Sequence, residues 1–134
     1  MTKEQLISMA KEAMMHSYSP YSGYRVGAAL LCKDGSVYAG CNIENAGYSA
    51  TNCAERTAFF KAVSEGKKDF TAIAICGGKD GEIDGVFPPC GVCRQVMREF
   101  CEDEFLIHLA TKDGIEEYTL KELLPVSFRP EMIE

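Results

Sequence analysis

Asn52-Cys53-Ala54-Glu55-Arg56 and Pro88-Pro89-Cys90-Gly91-Val92-Cys93-Arg94-Gln95 are the stretches around which the rest of the sequence arranges itself. Cys90 and Cys93 follow two prolines at the apparent start of a helix. Three residues apart at 3.6 per turn, they project about 60° from one another and share a side. Cys53 offers a third thiol. Three protein ligands leave a tetrahedral zinc ion one open position, which is the catalytic rather than the structural arrangement. Glu55 lies two positions beyond Cys53. In mid-helix that spacing, about 200°, would send the two side chains to opposite sides. In a first helical turn both reach a site above the helix end, where a carboxylate can move protons for water activated by the metal. Helix N-termini also carry roughly half a positive charge, which favours thiolate over thiol.

Working outward, the second of these helices, from Cys90, buries Val92, Val96 and Phe100 at i, i+4, i+8. The first runs from about Cys53 to Glu65 and stops at Gly66, with Ala54, Ala58 and Ala62 as a small inward face able to lie close on a sheet. Nearer the N-terminus, Thr2 and Gln5 have capping-box spacing, and Leu6, Met9, Ala10 and Ala13 form an apolar stripe, predicting a helix over residues 3–15. Val26–Cys32 and Val37–Ile43 flank Lys33-Asp34-Gly35-Ser36, a hairpin signal. Phe70–Cys76 is a near-continuous apolar run, as in a central strand covered on both faces, and Gly77-Gly78-Lys79-Asp80-Gly81 reads as a loop after it. These glycines match neither phosphate-binding fingerprint. Phe105–Ala110 and Ile115–Thr119 are two further strands around Lys112-Asp113-Gly114, and Leu120–Leu124 is one helical turn ended by Pro125. This order of elements predicts one three-layer α/β domain over residues 1–134.

The 134 residues allow a real core but no second domain. No apolar run approaches the length of a membrane span, and the start of the chain mixes charges with apolar residues, unlike a secretory leader. Seven cysteines, an odd number, fit a reducing cytoplasm better than a disulfide framework. A net charge of −6 without a Lys/Arg cluster argues against nucleic acid and for a small uncharged partner.

Cys-Ala-Glu-Arg at 53–56 followed by Pro-Cys-x-x-Cys-Arg-Gln at 89–95 resembles the small, three-cysteine form of the cytidine deaminases. Tyr18-Ser19-Pro20-Tyr21-Ser22 leading to Val26-Gly27-Ala28-Ala29-Leu30, Asn42-Ile43-Glu44-Asn45-Ala46, and Leu123-Leu124-Pro125 are similar to that family too, so the resemblance spans nearly the whole chain. It implies an α/β/α sandwich around a five-stranded mixed sheet, and one Zn²⁺ per chain on Cys53, Cys90 and Cys93. It also implies Glu55 as catalytic proton carrier and hydrolysis of cytidine and 2′-deoxycytidine to the uridines plus ammonia. By the same resemblance, Asn42 and Glu44 hold the ribose hydroxyls, and Tyr24, where the family usually has Phe, keeps an aromatic wall. Ala54 orients the base edge, Tyr48 joins the substrate contacts, and Phe128 covers the base from a neighbouring subunit. A cytoplasmic homotetramer with active sites shared across subunits is implied as well. Arg25 stands where Pro is common.

On the residues alone, Cys90 and Cys93 also suit a thioredoxin-like redox pair, or a closed structural zinc with Cys76, Cys101 or His108 as fourth ligand. Glu55 equally suits a capping box begun by Asn52. Cys32, Cys41, Cys76 and Cys101 read as core, His16 and His108 as structural, and Phe128 by spacing as core. Arg56 has a charge argument behind it: one zinc and three thiolates carry a net negative charge, and a guanidinium donating to the sulfurs restores the metal's pull on water. Deamination of a blasticidin-type cytosine nucleoside, or a zinc-stabilised interaction module without activity, are the other readings. Asn42-Ile43-Glu44-Asn45 favours the ordinary nucleoside.

Overall fold

The computed structural model describes residues 1–133. In chain order it comprises α1 (Lys3–Met14), β1 (Tyr24–Cys32), β2 (Val37–Cys41), α2 (Ala54–Ser64), β3 (Phe70–Lys79), α3 (Gly91–Phe100), β4 (Leu106–Ala110), β5 (Ile115–Thr119) and α4 (Leu120–Leu123), with short 3₁₀ turns at Tyr48–Ala50 and Pro130–Ile133. The sheet order is β2-β1-β3-β4-β5, with β3 and β4 parallel and the other neighbours antiparallel. The mixed five-stranded sheet is therefore as expected.

Local chemistry sets the helix ends. The Thr2 hydroxyl accepts from the Gln5 N–H at 3.1 Å while the Gln5 side chain accepts from the Thr2 N–H at 2.8 Å, closing both halves of a capping box on α1. Gly66, at φ +91°, ends α2: its N–H reaches the Val63 carbonyl at 2.9 Å and the Lys67 N–H the Ala62 carbonyl at 3.0 Å, a complete Schellman motif.

Strand alternation splits the core into two layers. Val26, Ala28, Leu30, Ile73, Ile75, Ile107 and Leu109 face Ala54, Ala58, Phe59 and Met97 of α2 and α3. The opposite face, of Ala29, Ala72, Ala74, Cys76 and Ala110, packs on Leu6, Ile7, Ala10 and Met14 of α1. The helices approach closely because glycines lie beneath them. A Cβ on Gly27 would stand 2.0 Å from the Ala10 carbonyl oxygen, and one on Gly40 2.6 Å from the Ala58 nitrogen.

Four expectations are corrected. The buried face of α3 is Cys93, Met97 and Arg98; Val92 is 58% exposed, and Val96 and Phe100 only flank the core. Turning Cys93 inward, toward the other two sulfurs, rotates Val92 outward. Gly77, Gly78 and Lys79 belong to β3, paired with Val26, Arg25 and Tyr24, and the turn is confined to Asp80 and Gly81. Only glycine fits at 78, where a Cβ would lie 1.8 Å from the Glu82 carbonyl oxygen. The second strand stops at Cys41, beyond which Ile43 makes only isolated bridges to Tyr18 and Asn52. Phe128 is not core but 57% exposed.

Gly27→Ala should lower stability by about 1–3 kcal/mol, the usual cost of overpacking. Gly114→Ala, whose added methyl meets nothing within 4 Å, should stay within about 0.5 kcal/mol of the parent. Urea denaturation midpoints of the two variants check the contrast.

Candidate active site

Because β1 runs antiparallel to both β2 and β3, the last two are parallel, and their carboxyl ends lie at one edge together with the start of β1. Helices α2 and α3, which follow β2 and β3 in the chain, begin at that edge, the usual place for a ligand in an open α/β sheet. Cys53 and Cys90 are the two N-cap residues, both with extended backbone, and Cys93 sits in the first turn of α3. Arg94 fixes the approach to Cys90 by donating from Nε to the Pro89 carbonyl at 2.8 Å and from Nη1 to the Leu123 carbonyl at 2.7 Å.

The Sγ atoms of Cys53 and Cys90 are 3.8 Å apart and those of Cys90 and Cys93 3.5 Å, with all three within 4.8 Å of one another. A tetrahedral ion with bonds of about 2.3 Å needs sulfurs about 3.8 Å apart, so the trio fits zinc. Among the described residues no His, Asp, Glu or further Cys joins the cluster. The proposed fourth ligands lie elsewhere: Cys76 faces Met14 under α1, Cys101 caps the end of α3, and His108 lies 3.4 Å from Glu117 of β5. Cys32, Cys76 and Cys101 are buried as expected, Cys41 half-buried, and His16 exposed.

Arg56 donates from Nη2 to the Cys53 sulfur at 3.3 Å. Hydrogen bonds from the Cys93 thiol and then Arg56 outweigh burial and hold Cys53 below the usual thiol range. Cys93 is pushed up, by its hydrogen bond to Cys53 and by burial. Burial opposes the charge of Arg56, but its bonds to the Cys53 and Cys93 sulfurs more than compensate and raise it. A soft S₃ donor set with a cationic hydrogen-bond donor behind it suits a zinc ion.

Glu55 is 4% exposed in the first turn of α2, and burial raises its carboxyl to about 7, where it can both take and give a proton near neutral pH. It closes no capping box: the N-cap is Cys53, and Asn52 instead donates to the Thr57 hydroxyl at 3.0 Å.

A cleft of about 270 Å³ joins Cys53, Ala54, Glu55 and Cys90 to Tyr24, Asn42 and Glu44. Asn42 is buried. Its Oδ1 accepts from the Val26 N–H at 2.9 Å and from the Ser17 hydroxyl, while its Nδ2 donates to the Tyr24 carbonyl at 2.8 Å. It thus extends the β1 ladder past the end of β2. Glu44 accepts from the N–H groups of Tyr21 (2.9 Å) and Ser22 (3.0 Å) and from the Ser22 hydroxyl. The Ser22 hydroxyl, against burial and together with those N–H groups, holds its carboxyl below the usual range, leaving an ionised acceptor. Tyr48, 81% exposed, lines an adjoining depression with Glu44, while Phe128 lies outside the cleft with its carbonyl bonded by Gln95 at 2.9 Å.

Three cleft residues had no role in the sequence reading. Ser22 holds Glu44, Phe87 sits with its ring 6.0 Å from that of Tyr24, and Thr51 lines the cleft. An aromatic directly before Pro88-Pro89-Cys90 was the available signal for Phe87.

The profile described as "Cytidine and deoxycytidylate deaminase zinc-binding region" matches residues 1–109. A cytidine deaminase of Sporosarcina psychrophila is 51% identical over 98% of this chain and 94% of its own length. One from Halalkalibacterium halodurans is 51% identical over 98% and 97%. The crystal structure of cytidine deaminase from Burkholderia pseudomallei aligns with a TM-score of 0.88 at 44% identity, covering 96% of this chain and 100% of that one. With its three clustered thiols and this extent of likeness, the chain belongs to the zinc-binding cytidine and deoxycytidylate deaminase family.

Proposed function

We propose that this protein hydrolyses the exocyclic amine of cytidine and 2′-deoxycytidine, giving uridine or 2′-deoxyuridine and ammonia. The observation that carries the reading is a buried carboxyl, that of Glu55, beside a three-thiol cluster in a cleft of nucleoside-compatible size. Zinc held by Cys53, Cys90 and Cys93 supplies the Lewis acidity that makes water nucleophilic near neutral pH. Glu55 takes a proton from the attacking water and passes it to ring N3 as C4 becomes tetrahedral; it then takes the remaining proton from the C4 hydroxyl and delivers it to the departing amine, so that the C4–N bond breaks as the C4 carbonyl forms. Arg56, on the Cys53 sulfur, offsets the negative charge of the thiolates.

The rest of the cleft holds the substrate still. Cys53, Ala54 and Cys90 line the cleft at the helix starts, and we assign the Ala54 carbonyl and the N–H groups of Cys53 and Cys90 to the base edge, while Tyr24 with Phe87 offers aromatic faces to the ring. Glu44 accepts from a ribose hydroxyl while Asn42 donates to one; a site built for such pairing discriminates against analogues lacking it. Exposed Tyr48 and Phe128 support assembly into a homotetramer in which Phe128 reaches a neighbour's cleft. No helix among the described residues is long and apolar enough to cross a membrane, and we assign the protein to the cytoplasm. Sedimentation at four chains, from protein recovered in the cytosolic fraction, tests both points. The blasticidin-type substrate has less support, since the relatives at 51% identity are named for cytidine.

Loss of the cytidine absorbance band, measured alongside zinc per chain, tests the activity. Glu55→Gln should retain zinc and lose about 10²–10⁴-fold in turnover; a variant that turns over like the parent removes Glu55 from the proposed role.

The same substitution has a stability consequence with a definite sign. A carboxyl raised by burial from 4.5 to about 7 stabilises the fold fully only below pH 4.5, and that contribution is lost as pH rises through 7. In the zinc-free protein, Glu55→Gln should therefore gain on the parent by about 2 kcal/mol more at pH 8 than at pH 5.5, read by urea unfolding at both values after metal removal. An equal difference at the two pH values contradicts the raised carboxyl.

A further inference from the structure

Lys79 ends β3 opposite Tyr24, outside the cleft, yet it is tied to the loop that holds Glu44. Its Nζ donates to the Ser22 carbonyl at 2.9 Å and stands 5.4 Å from the centre of the Tyr24 ring. Ser22 is where the loop's bonds converge. Its N–H and hydroxyl both donate to Glu44, and its hydroxyl oxygen accepts from the Tyr24 N–H at 3.0 Å. The next residue is shaped around the lysine: Gly23 has φ +74°, and a Cβ there would lie 2.7 Å from Nζ. The Asp80 N–H, from a residue at φ +56°, reaches the Gly23 carbonyl at 2.8 Å and closes the same end of the loop.

Consider the loop without the ammonium. Tyr21 and Ser22 are exposed, and Gly23 is the most permissive residue in the chain's repertoire. Three donors from this one segment would then have to hold an ionised carboxylate in the mouth of the cleft, where water competes for it. A charged donor on the Ser22 carbonyl, attracted also by the face of Tyr24, removes that freedom from the side away from the substrate.

We propose that Lys79 is a positioning residue for sugar recognition: by fastening Ser22 it fixes the Glu44 carboxylate against the ribose hydroxyls and lowers KM without taking part in proton transfer. The proposal rests on the reading of Glu44 as the ribose acceptor. It makes Lys79 act chiefly on hydroxyl-bearing substrates, because its hydrogen bond bears on Glu44 through Ser22 and not on Glu55 or the thiols, leaving the Tyr24 ring contact as the part any substrate shares.

The test uses the full-length, zinc-loaded protein. Lys79→Met, which keeps the length of the stem but not the charge, should raise KM for cytidine about three- to tenfold, the effect of losing one exposed charged hydrogen bond and its ring contact. Turnover at saturation should stay within about twofold, because no group moving a proton has changed. The inhibition constant of 2′,3′-dideoxycytidine, which offers Glu44 no ring hydroxyl and senses only the Tyr24 ring contact, should rise by clearly less than the cytidine KM. Lys79→Arg should restore the cytidine KM, and adding Lys79→Met to Glu44→Gln should raise KM no further. If Lys79→Met leaves KM alone, or weakens cytidine and the dideoxy analogue equally while Glu44→Gln weakens only cytidine, the inference about Lys79 is overturned and the role of Glu44 stands. If Glu44→Gln itself leaves the cytidine KM unchanged, the ribose reading falls and the inference with it.

Discussion

Three sulfurs can share one cation here because two helices on the same face of the sheet start at the same edge. That condition is topological. β2 and β3 run parallel on either side of an antiparallel β1, so the chain leaves both at one end and turns into α2 and α3 there. The close packing of α2 over Gly40, with Ala54 and Ala58 fully buried, sets the height at which Cys53 meets Cys90 and Cys93. A helix displaced outward by one methyl group would move its N-cap sulfur by a comparable distance, which a tetrahedral site does not tolerate. The small residues under the helices therefore belong to the active site's geometry as much as to the core.

The site places destabilising electrostatics where chemistry needs them. Burying Glu55 raises its carboxyl to about 7 at a cost to folding, and three thiols are crowded within 4.8 Å. Arg56 offsets part of this by its hydrogen bond to Cys53, and the first-turn N–H groups of α2 and α3 add their partial charge. A bound divalent cation completes the balance, so metal binding and folding are coupled at this edge of the sheet.

The end of the cleft proposed to hold the sugar is built differently from the thiol end. Asn42 and Glu44 lie beyond the last residue of β2; the Asn42 side chain is fixed by backbone groups of β1, and Glu44 by those of the segment just before it. Asn42 replaces strand pairing with its own amide, while Glu44 rests in consecutive N–H groups of Tyr21 and Ser22. Rigidity at this end comes from side chain to backbone bonds rather than from packing, which explains why polar residues alternate there in place of apolar ones.

Residue identities and local spacing were enough to single out Cys53, Cys90, Cys93 and Glu55 as candidates and to place the capping box at Thr2, the stop at Gly66 and the order of helices and strands, because these depend on chemistry and backbone preference within one turn. Neighbours across the sheet were not legible in the same way. Periodicity alone put Val92 inside; the demand that Cys93 face Cys53 turned it out. Asn52 looked like an N-cap until the structure gave that position to Cys53, and Gly77 and Gly78 looked like loop until β3 was seen to pair through them with β1. Phe87 beside Tyr24, Ser22 beneath Glu44 and Lys79 over Tyr24 were likewise decided by tertiary structure. The sequence by itself determined which groups could do the chemistry; strand order and helix rotation, which are long-range, decided which of them meet.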